Sequence, residues 1–192
     1  MLKDVFNNFV EIYRHILLTN QFYPSVGSTG FQERNLSVNF SKAYDKTYDK
    51  DNIISWFELQ FGKDNNKHFD CLIINVSKKE IYIIESKRYT DASSKDASID
   101  EDIERIVSFV EKGLDNRFKK YKDFKVYGLI LADVWTENDA KLAIYNSYFD
   151  KTHFFDHPFI SNDEQEYCTY LFQKDTIDCK SDYALLSYLW KI

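Results

Sequence analysis

Two apolar runs, Phe69-Asp-Cys-Leu-Ile-Ile-Asn-Val76 and Ile81-Tyr-Ile-Ile-Glu-Ser-Lys87, decide the fold of this chain; Ser77-Lys-Lys-Glu80 separates them. Phe69–Val76 and Ile81–Ile84 read as the strands of a β-hairpin with a short turn. In an antiparallel hairpin the indices of paired residues have a constant sum, set by the turn centre. A turn at Ser77-Lys78 gives 155 and pairs Asp70 with Glu85, whereas a turn at Lys78-Lys79 gives 157 and pairs Asp70 with Lys87. Both registers put Asp70, Glu85 and Lys87 on one face, because Glu85 and Lys87 are two apart on a strand; Ser86 points the other way.

Working outward, residues 3–19 carry Val5, Phe6, Phe9, Ile12, Tyr13, Ile16 and Leu17 at helical spacing. Thr29 stands three before Gln32, the spacing of a capping box, which predicts a second helix over about 30–47. From Ile53 the period becomes two: Trp56, Glu58 and Gln60 alternate with Phe57, Leu59 and Phe61, a strand with one apolar face. Helical spacing returns over 99–120, and Val126–Ala132 is the continuous apolar run of a strand covered on both faces. Residues 137–149 read as helical, Tyr183–Trp190 as a last helix, and Tyr167–Phe172 as an edge strand. The order α-α-β-β-β-α-β-α predicts a mixed central sheet flanked by helices, in the α/β (α+β) class.

At 192 residues a single domain spanning the chain is expected. Only 5 glycines are present, with no G-x-G-x-x-G and no G-x-x-x-x-G-K-[ST], which excludes the phosphate loops that depend on those strings. The net charge of −6 argues against a basic nucleic-acid coat protein but says nothing about a local site. Cys71, Cys168 and Cys179 suggest neither a disulfide framework nor a thiolate zinc site. With no signal-peptide pattern at residues 1–10 and no membrane-length apolar run, the chain reads as cytoplasmic, with no membrane partner.

Two carboxylates and an ammonium converging at the end of an apolar hairpin form a donor set for a hard cation such as Mg²⁺. The bland alternative is a cross-strand ion pair at a solvated hairpin end, worth about 0.2–1 kcal/mol. The pattern [DE]-x-K also occurs at Asp123, Asp139 and Asp178, but only Glu85-Ser-Lys87 ends an apolar strand with an acid at the mate position. In this context Asp70, fourteen intervening residues and Glu85-x-Lys87 resemble the PD-(D/E)XK nuclease superfamily, with its restriction-endonuclease-like core. The family's α-β-β-β-α-β order matches about 30–132; the first helix and the C-terminal elements lie outside it. Phe69 stands where the family's name has proline.

The resemblance implies a hydrolase, a metal-dependent nuclease acting on nucleic acid, with DNA the expected substrate. It implies Mg²⁺ (or Mn²⁺) held by Asp70 and Glu85, helped by the Ser86 carbonyl, with Glu33 joining from the preceding helix and Lys87 stabilising transition-state charge. Glu33 shares the inward stripe of Leu36, Phe40 and Ala43; a glutamate favoured by the helix dipole is the other reading. Glu58 and Gln60 are second-line candidates, and His68 lies near Asp70 if its strand extends. Arg88 and Tyr89 follow the triplet, and Lys119, Lys120 and Lys122 lie in a basic, aromatic-interleaved stretch, so these are candidate nucleic-acid contacts; for the lysine stretch a solvated helix end favoured by the dipole is the other reading. Lys42, Lys46 and Lys50 line a helix face or a groove. His153 and His157 lack a third zinc ligand, and Pro158 ends any helix there. A homodimer is compatible with the sequence. The alternative function is a catalytically silent nuclease-fold protein, a binding or inhibitor/immunity protein acting through protein–protein contacts; an aromatic-rich interaction protein without a site is a third.

Overall fold

A computed structural model describes residues 2–19, 32–61, 67–89, 92–112, 116–136, 138–139, 142–143, 165–179 and 181–192. Helix α1 is Lys3–Thr19 and α2 is Glu33–Thr47; strands β1 (Ile53–Gln60), β2 (His68–Asn75) and β3 (Glu80–Tyr89) follow. Helix α3 is Ala92–Glu111, followed by a 3₁₀ segment at Asn116–Tyr121. Strand β4 (Lys125–Trp135), β5 (Gln165–Phe172), the short α4 (Lys174–Ile177) and β6 (Tyr183–Lys191) complete the chain. The protein is mixed α/β, with a six-stranded sheet of order β1-β2-β3-β4-β6-β5. All neighbours are antiparallel except β3 and β4, which run parallel and are joined by α3.

Two apolar layers cover the sheet. Val5, Phe9, Tyr13 and Leu17 of α1 and Leu36, Phe40 and Tyr44 of α2 pack on Ile73, Tyr82, Leu129 and Leu185. Ile99, Ile103 and Ile106 of α3 pack on Leu72, Ile83, Ile130 and Leu186. The expected stripe of α1 is thus its buried face. Helix α2 begins at Glu33 with Gln32 as N-cap, making no side-chain cap hydrogen bond, so the predicted capping box is not what starts it; Thr29 lies outside the described residues.

The hairpin adopts the first of the two registers, Cys71 opposite Ile84 and Asn75 opposite Glu80, an index sum of 155. Its turn spans four residues, Val76–Lys79. Asn75 Oδ1 accepts from the Lys78 amide (3.0 Å) and the Ser77 hydroxyl (2.8 Å), and Lys79 takes the left-handed conformation at φ 56°.

Three expectations are corrected. Tyr183–Trp190 is not a helix but lies within strand β6, between β4 and β5. Ala184, Leu186, Tyr188 and Trp190 face the α3 layer, while Tyr183, Leu185 and Leu189 face α1 and α2, so both faces are apolar and no period distinguishes strand from helix. The helix expected over 99–120 starts earlier and stops at Glu111; the basic stretch belongs to the separate 3₁₀ segment. Strand β1 does not keep one apolar face: Ile53 and Phe57 pack with the α1/α2 layer, Leu59 and Phe61 with the α3 layer. Glu58, at φ 53°, turns the strand over between them. The edge strand at Tyr167–Phe172 is present as part of β5. Most of the helix expected over 137–149 lies outside the described residues.

Gly128 shows why β6 must be a strand beside β4. It sits opposite Trp190, and a Cβ there would lie 2.1 Å from Trp190 Cζ2. Gly128→Ala therefore forces the indole out of its place. It is expected to lower stability by about 1–3 kcal/mol in urea unfolding; an unchanged midpoint would show that the indole yields freely.

Candidate active site

The site forms where β3 ends, because three elements meet there. The parallel β3–β4 crossover lays α3 over the face of β3 that carries Ile83, and strand alternation puts Glu85 and Lys87 on that same face. On α3, Asp102 falls on the stripe of Ile99, Ile103 and Ile106, so an acid is carried into the layer, where it is 2% exposed. Lys87 Nζ forms an ion pair with Asp102 Oδ2 at 2.5 Å. One turn on, Arg105 Nη2 reaches Asp102 Oδ1 at 2.6 Å and Glu85 Oε1 at 2.5 Å.

Asp70 completes the set from β2. Continuing the hairpin register sets it opposite Glu85, and its Oδ2 accepts the Ser86 amide at 2.7 Å. Across β1, the register sets Asp70 opposite Glu58, the residue that turns that strand over. Phe69 and Leu72 both pack against the α3 layer while Cys71 packs against the other, so the pleat of β2 breaks at the same place. Glu58, His68 and Asp70 gather there, with ligand atoms within 4.8 Å of one another; His68 Nε2 is 3.1 Å from Glu58 Oε2.

Helix α2 delivers Glu33 to the same strand end from the other layer: its Oε1 accepts the Arg88 amide at 3.0 Å. The structure thus brings together Asp70, Glu85, Lys87 and Glu33, with Glu58 and His68 beside them. The Ser86 amide bonds Asp70, and its hydroxyl is buried with no hydrogen-bond partner among the described residues. Arg88 falls on the α1/α2 side of β3, where its charge acts on Tyr13 and Tyr183 beside Asp133. Tyr89 ends β3, and its side chain lies outside the described residues, as do His153 and His157.

Other candidates lie away from the site. Lys125 pairs with Glu80, seven residues and roughly 23 Å of strand before Lys87. The 3₁₀ segment runs from Gln60, whose carbonyl accepts from Arg117 at 2.7 Å, back toward that far end, carrying Lys119 and Lys120 with it; Lys122 follows. Helix α2 likewise runs away from Glu33, and Tyr44 near its end meets Asn75 at the hairpin turn, so Lys42, Lys46 and Lys50 lie toward the turn. Asp102 and Arg105 were not singled out by sequence. Their signal is an acid interrupting an apolar helical stripe, with a base one turn later.

Charge burial sets the electrostatics. Burial pushes the Glu85 carboxyl up to about 8; Asp102 and Asp70 add to the shift, and Arg105 opposes it. Burial also raises Asp70 against the opposing Ser86 amide and Lys87. Burial acts to lower Lys87, but the charge and hydrogen bond of Asp102 outweigh it and hold the ammonium above its ordinary value. Lys87 is therefore protonated at neutral pH. The site holds two carboxylates that resist ionising and one cation that does not give up its proton.

Two outcomes follow from these charges. In the metal-free protein Glu85 keeps its proton in the folded state at pH values where the unfolded chain, with its glutamate near 4.5, has lost it. The folded state then binds more protons, so stability falls as pH rises from about 4.5 to about 8. Thermal midpoints measured across that window should decline, and Glu85→Gln should flatten the decline. Asp102→Ala strands Lys87 and Arg105 without their shared anion. A loss near about 3 kcal/mol is expected in urea unfolding, at the lower end of the range because Arg105 keeps some solvent; a loss under about 0.5 kcal/mol would mean that the pairing contributes only what a surface pair does. No protein-family model, curated protein or solved structure matches this chain.

Proposed function

We propose that the chain is a metal-dependent nuclease on a restriction-endonuclease-like core, hydrolysing phosphodiester bonds of nucleic acid, with DNA the preferred substrate. The observation that carries this reading is the convergence of Asp70, Glu85 and Lys87 at the end of β3, with the Glu33 carboxylate on the Arg88 amide of the same strand end. The order α2-β1-β2-β3-α3-β4, with an antiparallel β1-β2-β3 meander and a parallel β3–β4 crossover, supports the core assignment. The donor set fits a divalent cation: Glu85 is buried and Asp70 half-buried, the bare charge of each is disfavoured, and the exposed Glu58 and His68 extend the set with an oxygen and an imidazole nitrogen. Bound there, Mg²⁺ or Mn²⁺ would lower the pKa of a water and offset phosphate charge.

The chain's own groups then have separable tasks. Lys87, held protonated by Asp102, stabilises negative charge developing on the phosphate rather than taking a proton. The Ser86 amide orients Asp70, and the Arg88 amide orients Glu33. A second reading, a catalytically silent nuclease-like binding protein, draws on one observation: Arg105 and Asp102 already pair Glu85 and Lys87.

The test is direct. The purified chain, incubated with plasmid, linear DNA and RNA, should cleave in Mg²⁺ or Mn²⁺ and stop when the metal is chelated. Asp70→Ala and Lys87→Ala should each slow cleavage by roughly 10²–10³-fold while keeping the far-ultraviolet spectrum of the parent. Undiminished cleavage by either variant overturns the assignment, and absence of cleavage in any metal favours the silent reading.

A further inference from the structure

The pairing of Arg105 is unusual for an arginine. One nitrogen, Nη2, serves both carboxylates, at 2.5 Å from Glu85 Oε1 and 2.6 Å from Asp102 Oδ1. The planar fork that makes arginine a bidentate partner is left unused, and Nε is buried with no hydrogen-bond partner among the described residues. A single positive centre between two carboxylate oxygens is the arrangement of a small cation, with a guanidinium nitrogen standing in its place. The side chain also has somewhere to go. Arg105 lines a cleft of about 710 Å³ along the outside of α3, together with Phe61, Lys67, Glu101, Glu104 and Lys112. Glu101 and Glu104 can accept there what Glu85 gives up.

Resting on the metal-dependent reading above, we infer that Arg105 holds the place of a cation in the metal-free site: it occupies the Glu85 carboxyl oxygen until a divalent cation takes that carboxyl, and it then moves into the cleft outside α3. Asp102 is the pivot. It keeps Lys87 in place while Arg105 exchanges partners, because Lys87 uses Oδ2 and Arg105 uses Oδ1. Asp102 disfavours an ionised Glu85 beside it, and Arg105 is the group that opposes that effect. With an immovable Arg105, the metal could not gain Glu85. Arg105 is thus a positioning residue that sets metal affinity, not a group that touches the reacting atoms.

The experiment titrates Mn²⁺ into the full chain, its Arg105→Gln variant and the Glu85→Gln/Arg105→Gln double variant, following thermal unfolding and calorimetric binding. Without metal, Arg105→Gln should unfold at a lower temperature than the parent. It should bind Mn²⁺ roughly tenfold or more tightly and show the larger upward shift in midpoint, since the competing charge is gone. The double variant should lose that advantage. Equal or weaker Mn²⁺ binding by a folded Arg105→Gln, with the parent binding, overturns the inference and leaves the nuclease reading standing. If neither folded protein binds Mn²⁺, the metal-dependent reading itself falls, and the inference with it. Should Arg105→Gln not fold, the parent serves: its Arg105 Nε–H resonance, assigned by its disappearance in Arg105→Lys, should shift as Mg²⁺ is added, and a resonance that stays put while Mg²⁺ binds overturns the inference.

Discussion

The buried carboxylate of Asp102 is the constraint around which this end of the protein is built. It sits at 2% exposure in an otherwise apolar helical stripe, where an unpaired charge costs several kcal/mol. Two cations meet it, Lys87 from β3 and Arg105 from its own helix, so α3 docks on the sheet through an ion network as well as through Ile99, Ile103 and Ile106. That docking fixes where the crossover lies, and the crossover fixes the parallel pairing of β3 with β4. Glu85 is drawn in by the same network. Its carboxyl is carried above the ordinary range because burial and two neighbouring acids outweigh one arginine.

The second constraint is the coordinated break in β1 and β2. Glu58 in the left-handed region and the change of face around Asp70 interrupt the regular pleat at the same level of the sheet, while the register of β1 and β2 carries on beyond it. Glu58 stands opposite Asp70, and His68 is two residues before Asp70, so cross-strand pairing brings the three together. They gather at the open end, beside the Ser86 amide and facing the start of α2. Both helical layers therefore contribute to one end: α2 through Glu33, α3 through Asp102 and Arg105. The opposite end, where the hairpin turns and β4 begins, carries lysines but no comparable grouping of acids with a buried ammonium among the described residues.

Much of this was legible in the residues. The apolar runs on either side of Ser77-Lys78 locate the hairpin, and constant-sum pairing puts Asp70 opposite either Glu85 or Lys87, on one face with both. Glu33 was legible from its place on the inward stripe of its helix. Tyr183–Trp190 was not, because a run apolar on both faces has no period; only its position between β4 and β5, with Trp190 over Gly128, makes it a strand. The place of Lys119, Lys120 and Lys122 in the fold was not legible for a related reason. Charge and aromatic content say nothing about which end of a sheet a connection occupies; the parallel register does.

Local sequence, by itself, determined the α1 and α2 faces, the hairpin, its two permitted registers and the grouping of Asp70, Glu85 and Lys87, since these depend on periodicities and on residues near in the chain. Only the tertiary structure decided which register holds, that β6 joins the sheet, that the pleat turns over at Glu58, and that Asp102 and Arg105 enter the site. Those outcomes depend on contacts between segments far apart in the chain. A buried charge finds its partner only once the layers close over it, and no spacing rule along the chain encodes that closure.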